Sequence, residues 1–164
     1  MIRKICENDV QDRFKIGKQE QYVLMCGGEI STNIRYPRLD YWLAWYETFK
    51  AKKDAWIIED EGMCIGEIRL DNISLTDKNA RLAIGIYDEN KCGKGIGSTV
   101  VKYVVHFGFT NLDLHRIELR VLAYNERAIA CYKKCGFNIE GILIDNALIN
   151  GQYHNDIIMA IINN

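Results

Sequence analysis

The fold is decided by a stretch near the C-terminal end, Asn125-Glu126-Arg127-Ala128-Ile129-Ala130-Cys131-Tyr132-Lys133-Lys134-Cys135-Gly136-Phe137. Asn125 follows a segment of alternating apolar residues and belongs to the residue types that cap helices. Gly136 stands where a helix commonly ends. The pattern predicts a helix over 125–135 that lies between two strands. Tyr132 lies one helical turn after Ala128 on the apolar face, so core packing alone would explain it.

A second informative stretch is the glycine-rich loop Lys91-Cys92-Gly93-Lys94-Gly95-Ile96-Gly97-Ser98, which lies between an alternating strand (80–86) and a valine-rich helix (98–109). Glycines let the backbone approach a phosphate, and the following helix N-terminus favours negative charge. The loop is not a Walker sequence, because Gly95 follows the lysine where Ser or Thr is required. It is not a dinucleotide fingerprint either, because Ser98 replaces the third glycine. A tight turn without a ligand stays open.

Together the two stretches resemble the GCN5-related N-acetyltransferase (GNAT) superfamily. The loop resembles its acyl-CoA pyrophosphate loop, Gln/Arg-x-x-Gly-x-Gly/Ala, with Gly95 and Gly97 in the two final positions. The later stretch resembles the family helix N-x-x-A-x-x-x-Y-x-x-x-G-F, and one helix and one strand separate the two, as in the family. The resemblance is strong over 79–154, and Ile149-Asn150-Gly151-Gln152-Tyr153 is similar to bacterial spermidine and ribosomal-protein N-acetyltransferases.

The resemblance implies an α/β (α+β) architecture. We expect a mixed, mostly antiparallel sheet with helices on both faces and a splay between the fourth and fifth strands, built by a single domain over 1–164. The residue patterns predict the elements around it: a weak helix over 8–26, a second helix capped by Asp40, a hairpin that turns at Asp60-Glu61-Gly62, and two C-terminal strands over 137–149 and 156–162.

The implied activity is direct transfer of an acetyl group from acetyl-CoA to a primary amine, without a covalent enzyme intermediate. In the family, the fourth strand grips the pantetheine arm, the glycine loop cradles the pyrophosphate, and the helix tyrosine protonates the leaving thiolate. Tyr132 is therefore the implied acid. The implied cofactor-binding residues are Ile84, Ile86, Cys92, Gly93, Lys94, Gly95, Ile96, Gly97, Ser98 and Asn125.

The chain departs from the family at Cys92, where Gln or Arg is usual, so one side-chain contact to phosphate is missing. Lys91 or Lys94 could compensate electrostatically. An alkylamine with a pKa near 10.4 is neutral in only about one molecule in a few thousand at pH 7, so its proton needs an acceptor. Glu67 is the first candidate and Glu118 the second, although both could be exposed strand carboxylates.

Composition excludes several other classes of protein. The 164 residues include 21 Lys and Arg against 22 Asp and Glu, and a net charge of −1 argues against general nucleic-acid binding and against a polybasic membrane anchor. The six cysteines form no C-x-x-C pair, so we expect no metal. No apolar run is long enough for a signal peptide or a membrane span, which favours a reducing cytoplasm.

The acceptor amine is less well defined by the sequence. We rank a polyamine or another small-molecule amine ahead of a peptide N-terminus, because an acidic rim is conceivable from Glu29, Asp40, Glu47, Asp145 and Asp156. The nearby residues Arg35, Arg38, Arg81, Tyr36 and Trp42 would instead suit the sugar amine of a nucleotide or antibiotic. A non-catalytic acyl-CoA-binding module and a homodimer also stay open.

Overall fold

The structure is a computed structural model that describes residues 1–17, 19–27 and 38–163. The helices are α1 (Asn8–Ile16), α2 (Glu20–Met25), α3 (Leu39–Lys50), α4 (Ile96–Asn111) and α5 (Glu126–Lys134). The strands are β1 (Ile2–Arg3), β2 (Ala55–Asp60), β3 (Met63–Ser74), β4 (Asn79–Ile86), β5 (Arg116–Leu122), β6 (Asn138–Ile149) and β7 (Gln152–Ile162). A short 3-10 turn, Glu89–Lys91, precedes the glycine loop.

The strands form one seven-stranded sheet in the order β1-β2-β3-β4-β5-β7-β6. All neighbours pair antiparallel except β4 and β5, which run parallel. The parallel pairing covers only the first three residues of each strand and ends where Arg81 lies opposite Glu118. Beyond that point β4 and β5 are no longer paired, so the expected mixed sheet with a splay between the fourth and fifth strands is confirmed.

Helices cover both faces of the sheet, as expected. Ile58 of β2 belongs to the larger core, into which α4 packs Val101 and Val104, and α5 packs Tyr132. Its neighbour Ile57 points to the opposite face, where it packs with Phe49 of α3. Because successive strand residues point to opposite faces, the apolar run of β2 supplies both cores. The prediction that the valine-rich segment forms a buried helix is confirmed by α4.

Three boundary predictions were wrong. The helix predicted over 8–26 is two helices, because Gly17 adopts a φ of 66° and ends α1. Asp40 does not cap α3: Arg38 is the cap residue and Asp40 lies in the first turn. The strand predicted from Asp156 begins four residues earlier, because Asn150 and Gly151 adopt φ values of 49° and 76° and form a two-residue hairpin turn.

Strands β3 and β4 pack closely at Gly66, beside the splay, and a substitution there tests this packing. A Cβ atom added there would lie 2.4 Å from the carbonyl oxygen of Gly85, and backbone atoms cannot rotate away. We expect Gly66→Ala to lower the free energy of unfolding by about 1–3 kcal/mol in urea denaturation. Gly141→Ala is the matched control, because its added Cβ would meet no atom within 4 Å. Equal denaturation midpoints for Gly66→Ala and the wild type would contradict this packing.

Candidate active site

A cleft opens where β4 and β5 separate. It has a volume of about 1090 Å³, and its walls include 82–86 of β4 and 120–122 of β5. The edge of β4 that faces β5 has no pairing partner beyond Arg81 among the described residues. The backbone of Ile84 and Ile86 can therefore bond to an extended ligand as an added strand would. Both residues line the cleft.

The glycine loop closes one end of the cleft. Gly93 and Gly95 adopt φ values of 75° and 85°, and residues that have a Cβ atom rarely adopt such backbone conformations. Gly95 is the cap residue of α4, and its carbonyl oxygen accepts the N–H of Thr99 at 3.0 Å. The first N–H groups of α4 have no partner within the helix, and the helix dipole is positive at this end. The loop therefore has the backbone geometry and the dipole that favour an anion, and it opens onto the cleft.

The predicted loop residues do not all line the cleft. Those that do are Cys92, Gly93, Gly95, Gly97 and Ser98. Lys94 and Ile96 do not line it, because the side chain of Lys94 is exposed to solvent and Ile96 packs against the larger core. Lys91 does not compensate for Cys92, because its ammonium bonds to Asp60 at 2.6 Å and to Glu61 at 3.1 Å.

Arg127 is a basic residue that the sequence reasoning missed. It follows the cap of α5 and lines the same cleft as the glycine loop. Burial raises the pKa of the Cys92 thiol, and the charge of Arg127 partly opposes that rise. A guanidinium thus acts electrostatically on the position where the family has Gln or Arg. Only the tertiary structure reveals this, because the two residues are far apart in sequence.

Helix α5 brings Asn125 and Tyr132 to the cleft. The Oδ1 of Asn125 accepts the N–H of Ala128 at 3.2 Å, and its Nδ2 donates to the carbonyl of Met25 at 3.4 Å. Asn125 therefore caps α5 and ties it to the end of α2. Tyr132 is buried, and burial raises the pKa of its phenol above the usual value, so it is a protonated donor at neutral pH. Both residues line the cleft.

Glu67 lies on the other side of the splay, on β3. Its Oε2 accepts the indole N–H of Trp45 at 3.0 Å and the hydroxyl of Tyr87, and its Oε1 accepts from Arg69 at 2.7 Å. Glu67 lines the cleft and is not the exposed strand carboxylate that the sequence left as an alternative. Glu118, the second candidate, is bonded to Arg116 and does not line the cleft.

The charges near Glu67 are nearly balanced. Arg69 bonds to both Glu67 and Asp71, and Lys52 bonds to Asp71 at 2.9 Å. Two further arginines, Arg81 and Arg120, line the cleft and form no ion pair with a described residue. Local sequence patterns could not show that Arg120 of β5 lines the same cleft as Arg81 of β4.

The expected acidic rim is mostly absent from the cleft. Asp40, Glu47 and Asp145 are exposed and do not line it, because they lie on outward faces of α3 and β6. Asp156 of β7 does line it and accepts a hydrogen bond from Asn146 at 2.8 Å. Three other residues considered for the acceptor site lie outside the described ranges: Glu29, Arg35 and Tyr36. Arg38 is exposed and paired with Asp40, and Trp42 is buried in the core, so neither lines the cleft.

The side chains and helices of the described residues also bear on metal binding and on membrane spanning. Within the described ranges, no group of three or more His, Cys, Asp or Glu side chains could hold a metal ion. None of the helices in those ranges is long and apolar enough to cross a bilayer.

Comparison with known sequences places the cleft in context. A family model described as an acetyltransferase (GNAT) domain matches residues 1–138. The chain is 38% identical over 105 residues to spermidine N(1)-acetyltransferase of Escherichia coli K12, an alignment that covers 64% of this chain and 56% of that enzyme. It is 29% identical over 101 residues to a putative ribosomal N-acetyltransferase of Bacillus subtilis, covering 62% and 54%. The alignments thus span little more than half of each relative.

Solved structures extend the similarity to almost the whole chain. The spermidine N-acetyltransferase of Vibrio cholerae in complex with CoA and spermine has a TM-score of 0.80 at 24% identity, over 99% of this chain and 94% of that one. A structure of a point mutant of the Vibrio enzyme has a TM-score of 0.76 at 26% identity, over the same shares of the two chains. The fold is therefore shared from β1 to β7.

Proposed function

Because the chain belongs to the GNAT acetyltransferase family, we propose that it transfers the acetyl group of acetyl-CoA directly to the primary amine of a small molecule, in first place a polyamine. The observation that supports this most is the composition of one cleft: an anion-binding loop at its end, the buried phenol of Tyr132 on one wall, and the carboxylate of Glu67 on the other. These are the three groups that direct acetyl transfer needs.

The donor is assigned to the loop side of the cleft. The pantetheine arm bonds along the unpaired edge of β4 at Ile84 and Ile86, and the pyrophosphate lies against the N–H groups over 95–98. Arg127 supplies the cationic side chain that Cys92 does not. Asn125 holds the entrance of α5 against α2, which keeps Tyr132 beside the sulfur position. The match of the acetyltransferase family model, which includes both the loop and α5, supports this assignment.

The chemistry needs three proton transfers. The ammonium group of the acceptor gives one proton to Glu67, through water, and the neutral nitrogen attacks the thioester carbon. The carbon–sulfur bond then breaks, the CoA thiolate takes a proton from Tyr132, and the nitrogen loses its second proton as the neutral amide forms. That second proton returns to Tyr132 through water and Glu67 releases its proton to solvent, so both side chains return to their starting states. The raised pKa of Tyr132 keeps the phenol protonated until the thiolate leaves.

A polyamine is the first acceptor because the chain is 38% identical to the spermidine enzyme of Escherichia coli but 29% identical to the putative ribosomal N-acetyltransferase, and because Glu67 and Asp156 offer carboxylates in the cleft. A second candidate is an amine that also carries an anionic group. Arg81 and Arg120 favour it, since guanidinium groups bind carboxylates and phosphates strongly. A non-catalytic acyl-CoA-binding module is disfavoured by Tyr132, because a binding module has no need of a proton donor at the sulfur.

We also propose that residues 1–164 act as one domain in the cytoplasm. Strand β7 lies between β5 and β6, so the segment after the family match completes the sheet that begins at β1. All six cysteines are free thiols, which suits a reducing compartment.

The proposed activity is tested by the release of free CoA thiol from acetyl-CoA when amines are added at equal concentration. The panel contains spermidine, putrescine, an amino acid, an amino sugar phosphate and a ribosomal-protein N-terminal peptide. We expect spermidine to give the highest kcat/KM. Faster turnover of the amines that carry an acidic group would favour the second candidate. If no amine in the panel causes release of CoA thiol, the result would argue against the proposed function.

The loop assignment is tested by two Gly95 variants whose side chains have the same size but differ in charge. Gly95→Asp should place a carboxylate where the pyrophosphate lies and abolish CoA binding in calorimetry, whereas Gly95→Asn, of the same size and tolerant of positive φ, should retain measurable binding. We expect Arg127→Ala to weaken binding by about tenfold, as expected for loss of one charged contact. Lys133→Ala, on an exposed part of α5, is its control. Equal affinities for both Gly95 variants would contradict the assignment.

Tyr132→Phe tests the role of the phenol. The substitution removes only the hydroxyl, so the protein should fold and bind CoA as before, while kcat falls by roughly 10²–10⁴. The measurement is steady-state turnover together with the melting temperature. An unchanged kcat would show that Tyr132 serves core packing with Phe137, whose ring centroid lies 6.1 Å away.

A further inference from the structure

Glu67 is held by donors from three separate elements. Trp45 of α3 and Tyr87, just after β4, both donate to Oε2, and Arg69 of β3 donates to Oε1. An ionised carboxylate has about four acceptor positions, so these donors leave room for about one more. The side chain is only 14% exposed and points into the cleft. Its remaining acceptor capacity is therefore directed at whatever occupies the acceptor side.

Trp45 is fixed by its own aromatic neighbours. Its ring centroid lies 5.9 Å from that of Phe49, 6.4 Å from Trp42 and 6.5 Å from Tyr87. The contacts with Trp42 and Tyr87 are edge-to-face, a favourable geometry that fixes the ring orientation. The indole N–H is consequently aimed at Glu67 by the packing of α3, and the hydrogen bond does not depend on a mobile side chain.

Tyr87 is held from behind by a buried cation. It is 1% exposed, and the guanidinium of Arg13 lies 3.5 Å from its ring centroid. A cation on the face of a phenol withdraws electron density from the ring and strengthens the hydroxyl as a donor. Burial also raises the pKa of Tyr87 well above the usual value, so its hydroxyl stays protonated. Arg13 is tied to α1 by a bond to the carbonyl of Gly17 at 2.9 Å.

We propose that Trp45 and Tyr87 are positioning residues that hold Glu67 in one orientation, as a carboxylate, so that it receives the proton of the acceptor ammonium. This inference rests on the proposed function. It makes the aromatic face of α3, which touches neither the donor loop nor Tyr132, a part of the reacting centre. It also accounts for two aromatic donors that converge on one oxygen, which core packing alone would not require.

The first experiment measures the contact without any turnover. The three indole N–H resonances of the ¹⁵N-labelled protein are recorded by NMR for the wild type and for Glu67→Gln, and the Trp45 resonance is assigned by its loss in Trp45→Phe. We expect Glu67→Gln to move that resonance and to leave those of Trp42 and Trp56 in place, because a neutral amide is a weaker acceptor than a carboxylate. An unmoved Trp45 resonance would overturn the inference even if the enzyme acetylates amines.

The second experiment is a double-mutant cycle on kcat/KM for the best amine. Trp45→Phe should lower the value by about tenfold, as expected for one hydrogen bond to a charged group, without changing KM for acetyl-CoA. In the Glu67→Gln background the same substitution should change kcat/KM by less than about twofold, because the two residues act as one unit. Losses that simply add would overturn the positioning role.

Trp56→Phe is the matched control for both experiments. Trp56 of β2 is also a tryptophan, but its ring packs against Phe107 and Lys4 in the larger core and is not among the aromatic residues that surround Glu67. We expect its kcat/KM to stay within about twofold of the wild type below the melting temperature. Tyr87→Phe gives an independent second variant, and a kcat/KM equal to that of the wild type in both Trp45→Phe and Tyr87→Phe would overturn the inference. Absence of turnover with every amine would contradict the proposed function and leave the NMR result to decide the contact.

Discussion

The site depends on the early end of one strand pairing. Strands β4 and β5 are joined for three residue pairs and then part, because β5 continues its antiparallel ladder with β7 while β4 continues with β3. The gap leaves backbone groups of β4 without a strand partner among the described residues, and on the wall of the cleft these groups need a ligand or water to bond to. In a sheet that was paired along its full length, there would be no room for a thioester between the two halves.

Helix α5 lines this gap, helix α3 supports Glu67 on the other side of it, and the two helices are stabilised in different ways. α5 is fixed by local means, the Asn125 cap at its start and Gly136 with a φ of 96° beyond its end, and it packs Tyr132 into the core. α3 is fixed by tertiary packing, with Trp42, Tyr46 and Phe49 buried against α1 and the sheet. Tyr132, the proposed proton donor, therefore lies on a locally specified helix, whereas Glu67 is held by side chains from distant segments.

The predictability of each part follows from this difference. The glycine loop and the α5 pattern were recognised because their chemistry is carried by consecutive residues, and the splayed sheet was inferred from the family that the two patterns together resemble. The boundaries at Gly17 and Gln152 were missed, because single backbone conformations set them. The acidic rim was wrong for Asp40, Glu47 and Asp145, because they lie on exposed faces that only the packing of α3 and β6 could define.

The sequence by itself determined most of the strand and helix order, because local periodicity and backbone freedom set it, and its two motifs indicated, through their resemblance to a family, the loop and tyrosine that line the cleft. Only the tertiary structure decided that Arg127 lines the same cleft as Cys92 and that Trp45 donates to Glu67, 22 residues away. Such contacts depend on sheet register and helix docking, where many residues contribute small energies, and no short segment encodes them.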